Sequence, residues 1–142
     1  MNREAVYLAL FNKLSAIKGI KTSSRILLHW ADVSPNQQPA LFQAQVSQTA
    51  QQVTGFPTKY ILTAKVWVYT HRDTNGVIPI TQLNNILDLI DNALKPTSSP
   101  TNKQTLGGLV EHCWIDGSIE TDEGTLGNQS IAIVPISILI TS

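Results

Sequence analysis

The sequence predicts an α+β fold, with an antiparallel sheet of about four to five strands and two helices packed on one of its faces. Three observations carry that reading. Apolar residues recur at helical spacing at the start and in the middle of the chain, and two long segments alternate with the period of a strand. No strand–helix–strand alternation runs along the sequence, so nothing demands a parallel sheet. The 142 residues suit a single domain, 1–142, and can bury one substantial core without metals or disulfides.

Asn2 is placed to cap a first helix, in which Val6, Leu10, Leu14 and Ile17 share a face that Tyr7 and Phe11 widen; Gly19 follows to end it. Ser23–Trp30 is predicted as a strand. Pro35 and Pro39 bracket a turn, and Ala40–Val46 reads as a shorter strand. Ser47–Thr58 is predicted as a polar loop closed by Gly55 and Pro57. Lys59–His71 is the clearest strand, with Tyr60, Leu62, Ala64, Val66 and Val68 on one face and Ile61, Thr63, Lys65, Trp67 and Tyr69 on the other. Asn75–Gly76 marks a turn. Pro79 and Thr81 introduce a second helix whose Leu83, Leu87, Ile90 and Leu94 form the buried stripe, with Lys95 and Pro96 ending it. Thr97–Thr105 lacks apolar anchors and is predicted as an exposed loop. Leu109–Thr121 and Gln129–Thr141 close the chain as a hairpin joined through Asp122–Asn128. Ala132, Val134, Ile136, Ile138 and Ile140 share one face of the last strand, and Pro135, which has no N–H, predicts a bulge or an edge there.

Charge is the unusual feature. Charged residues are 14% of the chain, against about 25% in an ordinary domain, and ten basic side chains balance ten acidic ones. Neither Val33–Thr58 nor Gly124–Ser142 carries any charge. The first stretch stays polar through Gln37, Gln38, Gln43, Gln45, Gln48, Gln51 and Gln52, a surface suited to permanent contact with protein, where an unpaired buried charge is costly. A solvated Gln-rich loop is the alternative. Zero net charge and the lack of a Lys/Arg cluster argue against a nucleic-acid binder. Ile131–Ile140, the longest apolar run, is interrupted by Pro135 and Ser137 and is too short to span a bilayer, which predicts a soluble protein without a membrane partner.

Candidate chemistry is sparse. His112 and Cys113 are adjacent, so on a strand they point to opposite faces and make a poor nucleophile pair; the single cysteine also excludes an intrachain disulfide and a multi-cysteine zinc site. Asp116, Glu120, Asp122 and Glu123 form an acidic group without a calcium-loop pattern, and Gly117–Ser118 breaks its spacing. Gly107–Gly108 lacks the spacing and the Lys-Ser/Thr of a phosphate loop. No catalytic, cofactor-binding or metal-binding residue is assigned. The residues singled out are instead candidates for an interface. Gln48, Gln51, Gln52 and Phe56 belong to the neutral loop, Trp67 and Tyr69 on the mixed strand face either pack against a helix or anchor an interface, and Asp122 and Glu123 stand at the acidic tip. Lys65, with Lys59 and Arg72, supplies opposite charge for that tip in an adjacent subunit.

Leu27–Val33 followed by Gln37–Leu41, together with Gln104–Ile115 and Glu120–Gly127, resembles small proteins encoded among the tail genes of phages and prophages, and the likeness extends over nearly the whole chain. The family is that of the tail-terminator, or tail-completion, proteins of long-tailed bacteriophages. The resemblance implies a sheet with helices on one side, no enzymatic activity and no cofactor. It implies a homo-oligomer, a hexameric ring on the last ring of the tail tube, that ends tube elongation and presents a docking surface to the head connector. The partners so implied are the tail tube protein and the head–tail connector protein, with DNA passing through the ring unread. The location implied is the virion, at the head–tail joint, after synthesis in the host cytoplasm. Two other readings stay open: a neighbouring head-completion or connector protein of the neck, and a small-ligand-binding domain or enzyme on the same scaffold, which would need a concave pocket with convergent polar groups.

Overall fold

A computed structural model of the chain describes every residue except 73–77, 79, 97–101 and 126. The order is α1 (Arg3–Ser15), β1 (Thr22–Ser24), two single-turn 3-10 segments (Trp30–Asp32 and Pro35–Gln37), β2 (Ala40–Gln51), β3 (Lys59–His71), α2 (Thr81–Ala93), β4 (His112–Ile115), β5 (Glu120–Glu123) and β6 (Gln129–Thr141). The fold is α+β, with a six-stranded sheet in the order β1-β2-β3-β6-β4, and β5 pairs with β6 as well. Every pairing is antiparallel except the short parallel one of β1 with β2.

The sheet is organised on β3 and β6. They pair from Lys59↔Thr141 to His71↔Gln129 without a register shift. Their alternation decides which side becomes core. Leu62, Ala64, Val66 and Val68 of β3 and Ala132, Val134, Ile136, Ile138 and Ile140 of β6 all point to one buried side. They share a single cluster with Val6, Tyr7, Leu10 and Leu14 of α1 and Leu83, Ile86 and Ile90 of α2. Each such aliphatic side chain removed from water contributes about 1.5–3 kcal/mol. Both helices therefore serve the same face. α1 starts as the sequence predicts, with the Asn2 side chain accepting the Ala5 N–H at 3.0 Å.

Several elements depart from the sequence expectation. Ser23–Trp30 is not a strand. Only Thr22–Ser24 pairs, after which Ser24 Oγ accepts the Ile26 N–H and the chain turns out, leaving Ile26, Leu27 and Leu28 exposed. β2 runs past Val46 to Gln51, so the loop expected at Ser47–Thr58 shrinks to residues 52–58. An extra residue, Val46, bulges out between Gln45 and Ser47 and shifts the register there. Leu109–Thr121 is broken into β4 and β5 by an interruption around Gly117, whose φ of +109° suits glycine.

That break explains Pro135, for which a bulge or an edge was expected. Its register with Lys65 is continuous and β6 is an interior strand. The Pro135 carbonyl accepts Asp116 N–H on the side where β4 ends, and the missing N–H of Pro135 points to the same side. The neighbouring strand is interrupted where β6 has nothing to donate. Thr97–Thr105 was expected to lack anchors, yet Gln104 is buried, its amide donating to Lys95 O at 2.7 Å and accepting Leu106 N–H at 3.1 Å. The Asn75–Gly76 turn, Pro79 and residues 97–101 lie outside the described residues.

Candidate interaction surface

The helix-free face of the sheet is closed at one end only. There Val33, Ala40, Phe42, Tyr69 and Ile131 form a second, smaller core, with Trp30, Trp67 and Ile133 partly buried against it. The segment Leu27–Trp30 lies over this patch because two long-range hydrogen bonds tie it down. The Tyr69 hydroxyl donates to Leu28 O at 2.7 Å, and Gln129 Nε2 donates to Trp30 O at 3.3 Å. Burial raises the Tyr69 phenol above its ordinary pKa, which keeps it a donor. His29 caps the Trp30–Asp32 turn, its Nδ1 accepting Ala31 N–H at 3.1 Å.

Between that segment and β5 lies a cavity of about 590 Å³. Leu27, Leu28, His29 and Trp30 form one wall, Trp67, Tyr69, Ile131 and Ile133 the floor, and Glu120, Thr121 and Asp122 the opposite wall. The register places these residues together: Tyr69↔Ile131↔Asp122 and Trp67↔Ile133↔Glu120 are neighbouring rows across β3, β6 and β5. Two carboxylates thus face aromatic rings, and no lysine or arginine lines the space.

The predicted interface residues separate into two groups. Trp67, Tyr69 and Asp122 converge on the cavity, with Tyr69 buried rather than offered to a partner. Glu123 ends β5, exposed. Lys65 stands on the same face as Trp67, opposite Pro135. Gln51, Gln52 and Phe56 lie at the other end of the β2–β3 ribbon, where Phe56 is 71% and Val53 62% exposed. Gln48 belongs to the strand, not to a loop, and its Oε1 accepts Arg3 Nε–H at 2.6 Å. The expected basic partners of the acidic tip are partly engaged within the chain. Arg72 donates to Asn128 Oδ1 at 2.6 Å, and Lys59 sits 3.4 Å from the Glu111 carboxylate. A hydrogen bond from the Thr141 hydroxyl, and then Lys59, hold the Glu111 carboxyl below its usual range.

Sequence reasoning missed Leu27, Leu28, Glu120, Ile131 and Ile133 as cavity residues. The aromatic signal of Trp30 and Trp67 was the one clue, because the walls come from four segments that only the folded sheet unites.

Cys113 is buried, and burial pushes its thiol up to about 12, so it stays protonated at neutral pH. His112 lies on the other side of β4, stacked on Trp114 at 5.1 Å, its Nδ1 accepting Gln104 N–H. Asp116 accepts the Ser137 hydroxyl at 3.0 Å. Among the described residues no group of three or more His, Cys, Asp or Glu gathers, and no helix is long and apolar enough to cross a membrane.

Neither a family model nor a curated protein sequence matches the chain. Among solved structures, a chain of the virion of a native gene transfer agent (GTA) particle matches with a TM-score of 0.55 at 7% identity, over 95% of this chain and 93% of that one. At such low identity the likeness is one of fold. It spans essentially the full length of both chains.

Proposed function

We propose that this chain is a structural subunit of a virion: a tail terminator that forms a ring on the end of the tail tube, stops its elongation and receives the head connector. The observation that carries the proposal is the full-length fold match to a chain of a GTA virion. The tail-gene resemblance of Leu27–Val33 with Gln37–Leu41, Gln104–Ile115 and Glu120–Gly127 supports the terminator reading, and the sparse charge suits a subunit whose surface is mostly covered by protein. Its partners are further copies of itself, the tube protein and the connector.

The experiment is electron microscopy of virions labelled on this chain, with tail lengths measured when the gene is deleted. Label at the head–tail joint and tubes of uncontrolled length without the protein are the expected results. Label along the tube or at its far end would sink the terminator role.

One observation favours a rival. The cavity of about 590 Å³ has the size of a small-molecule site. Its polar equipment does not suit catalysis. The Tyr69 hydroxyl and His29 Nδ1 are both spent on backbone groups. We read it as a protein-binding socket.

A further inference from the structure

Two apolar features stand at opposite ends of the same ribbon, one of them concave. The concave one is the cavity between Leu27–Trp30 and β5. The other is the 52–58 tip joining β2 to β3, where Val53 and Phe56 are left 62% and 71% exposed. An exposed Phe at a hairpin tip gains nothing for the monomer, and aromatic anchors of this kind are what interface pockets receive. Charge agrees with shape. The cavity wall bears Glu120 and Asp122 and no basic residue, whereas the segment 51–59 bears no acidic residue and one cation, Lys59, still half exposed at its loose contact with Glu111.

The two features cannot meet within one chain. Ten residue steps of β3 separate Lys59 from Tyr69, roughly 30 Å of extended strand. A contact between them therefore joins different copies head to tail, the heterologous geometry that closes into rings.

We propose that the 52–58 tip of one copy seats Phe56 and Val53 in the cavity of a second copy, with Lys59 against Glu120 and Asp122. The proposal names the contact that closes the ring and so rests on the ring reading above. Phe56 would lie against the Trp30 and Trp67 rings, and the bulge at Val46 would aim the tip.

Two preparations test it, one carrying Phe56→Cys and the other Leu28→Cys at the exposed cavity wall, with Cys113 left buried. Under mild oxidation, the mixture should give a covalent dimer that neither preparation gives alone. Phe56→Ser should weaken self-association at least about tenfold, while Ile26→Ser, exposed outside both features, should not. Because ring closure can require the tube as template, the contact is also read without assembly. The folded chain is titrated with a synthetic peptide of residues 51–59, and its tryptophan emission should shift, but not with the same peptide carrying Phe56→Ser. Wild-type-sized rings from Phe56→Ser in native mass spectrometry would overturn the proposal. So would the absence of both the mixed crosslink and a peptide response. Either result leaves the terminator role standing on the labelled virions, and mislabelled virions would leave a positive crosslink intact.

Discussion

The two faces of the sheet are built from the same pair of strands and finish differently. On one, α1 and α2 cover the even-numbered residues of β3 and β6, and nearly every side chain from Leu62 to Val68 and from Ala132 to Ile140 is buried. On the other, the odd-numbered residues are covered only at one end, by the Leu27–Trp30 segment and a five-residue core. Stability is concentrated on the first face. The second leaves Trp67, Ile133 and Lys65 only partly buried. Neighbouring residues of one strand thus serve separate purposes, because successive side chains point to opposite sides.

Mutations matched across the sheet should expose this division. The largest effect is expected from Ile138→Ala on the helix-covered face, about 2–5 kcal/mol in urea unfolding, since the cavity left behind cannot collapse. Ile133→Ala, the same truncation on the same strand but half-buried, should lose less than half as much; equal losses would break the comparison. Gln104→Ala comes next. It strips the partners from Lys95 O and Leu106 N–H, and leaving buried backbone groups unpaired costs about 1–3 kcal/mol. On the open face, Tyr69→Phe removes only the bond to Leu28 O, a loss of about 0.5–1.5 kcal/mol, with a change in tryptophan emission as the Leu27–Trp30 segment loosens. Unchanged emission would mean that the hydroxyl does not hold the segment. The smallest effect on unfolding belongs to Asp122→Asn with Glu123→Gln, within about 0.5 kcal/mol. Sedimentation should nonetheless show weaker assembly, and normal assembly at low and high salt would return Asp122 and Glu123 to mere solvation.

Legibility followed the same division. β3 and β6 were readable to the residue because one whole side of each is core, and alternation records that side directly. The far half of β2 was not. Ser47–Gln51 pairs with β3 but its side chains stay exposed, so its polar run gives no period and reads as loop. Ile26–Leu28 misled in the opposite sense: an apolar run suggests a strand, but Ile26 is exposed and Leu27 and Leu28 flank a cavity instead of a ladder. The glycine at 117 did announce the break between β4 and β5. Of the candidate site, composition indicated Phe56, Trp67, Tyr69 and Asp122 singly. Their division between a tip and a cavity depends on register across strands distant in sequence, which local pattern does not encode.

The position of β6 has a consequence for how the protein is made. This strand follows every other one in the sequence, yet it lies between β3 and β4, the partner of both. During synthesis the segment up to β5 emerges with the apolar edge of β3 bare and its core half-empty. Pairing β6 with β3 joins residues 59–71 to residues 129–141, a long-range closure of the kind that makes folding slow. Until it happens, the nascent chain is a sticky half-sheet that favours chaperones and aggregation. The cavity floor needs Ile131 and Ile133 from that same strand, so the socket does not exist before β6 is in place. On the proposal above, a copy whose β6 is not yet in place has no cavity to receive the 52–58 tip of another.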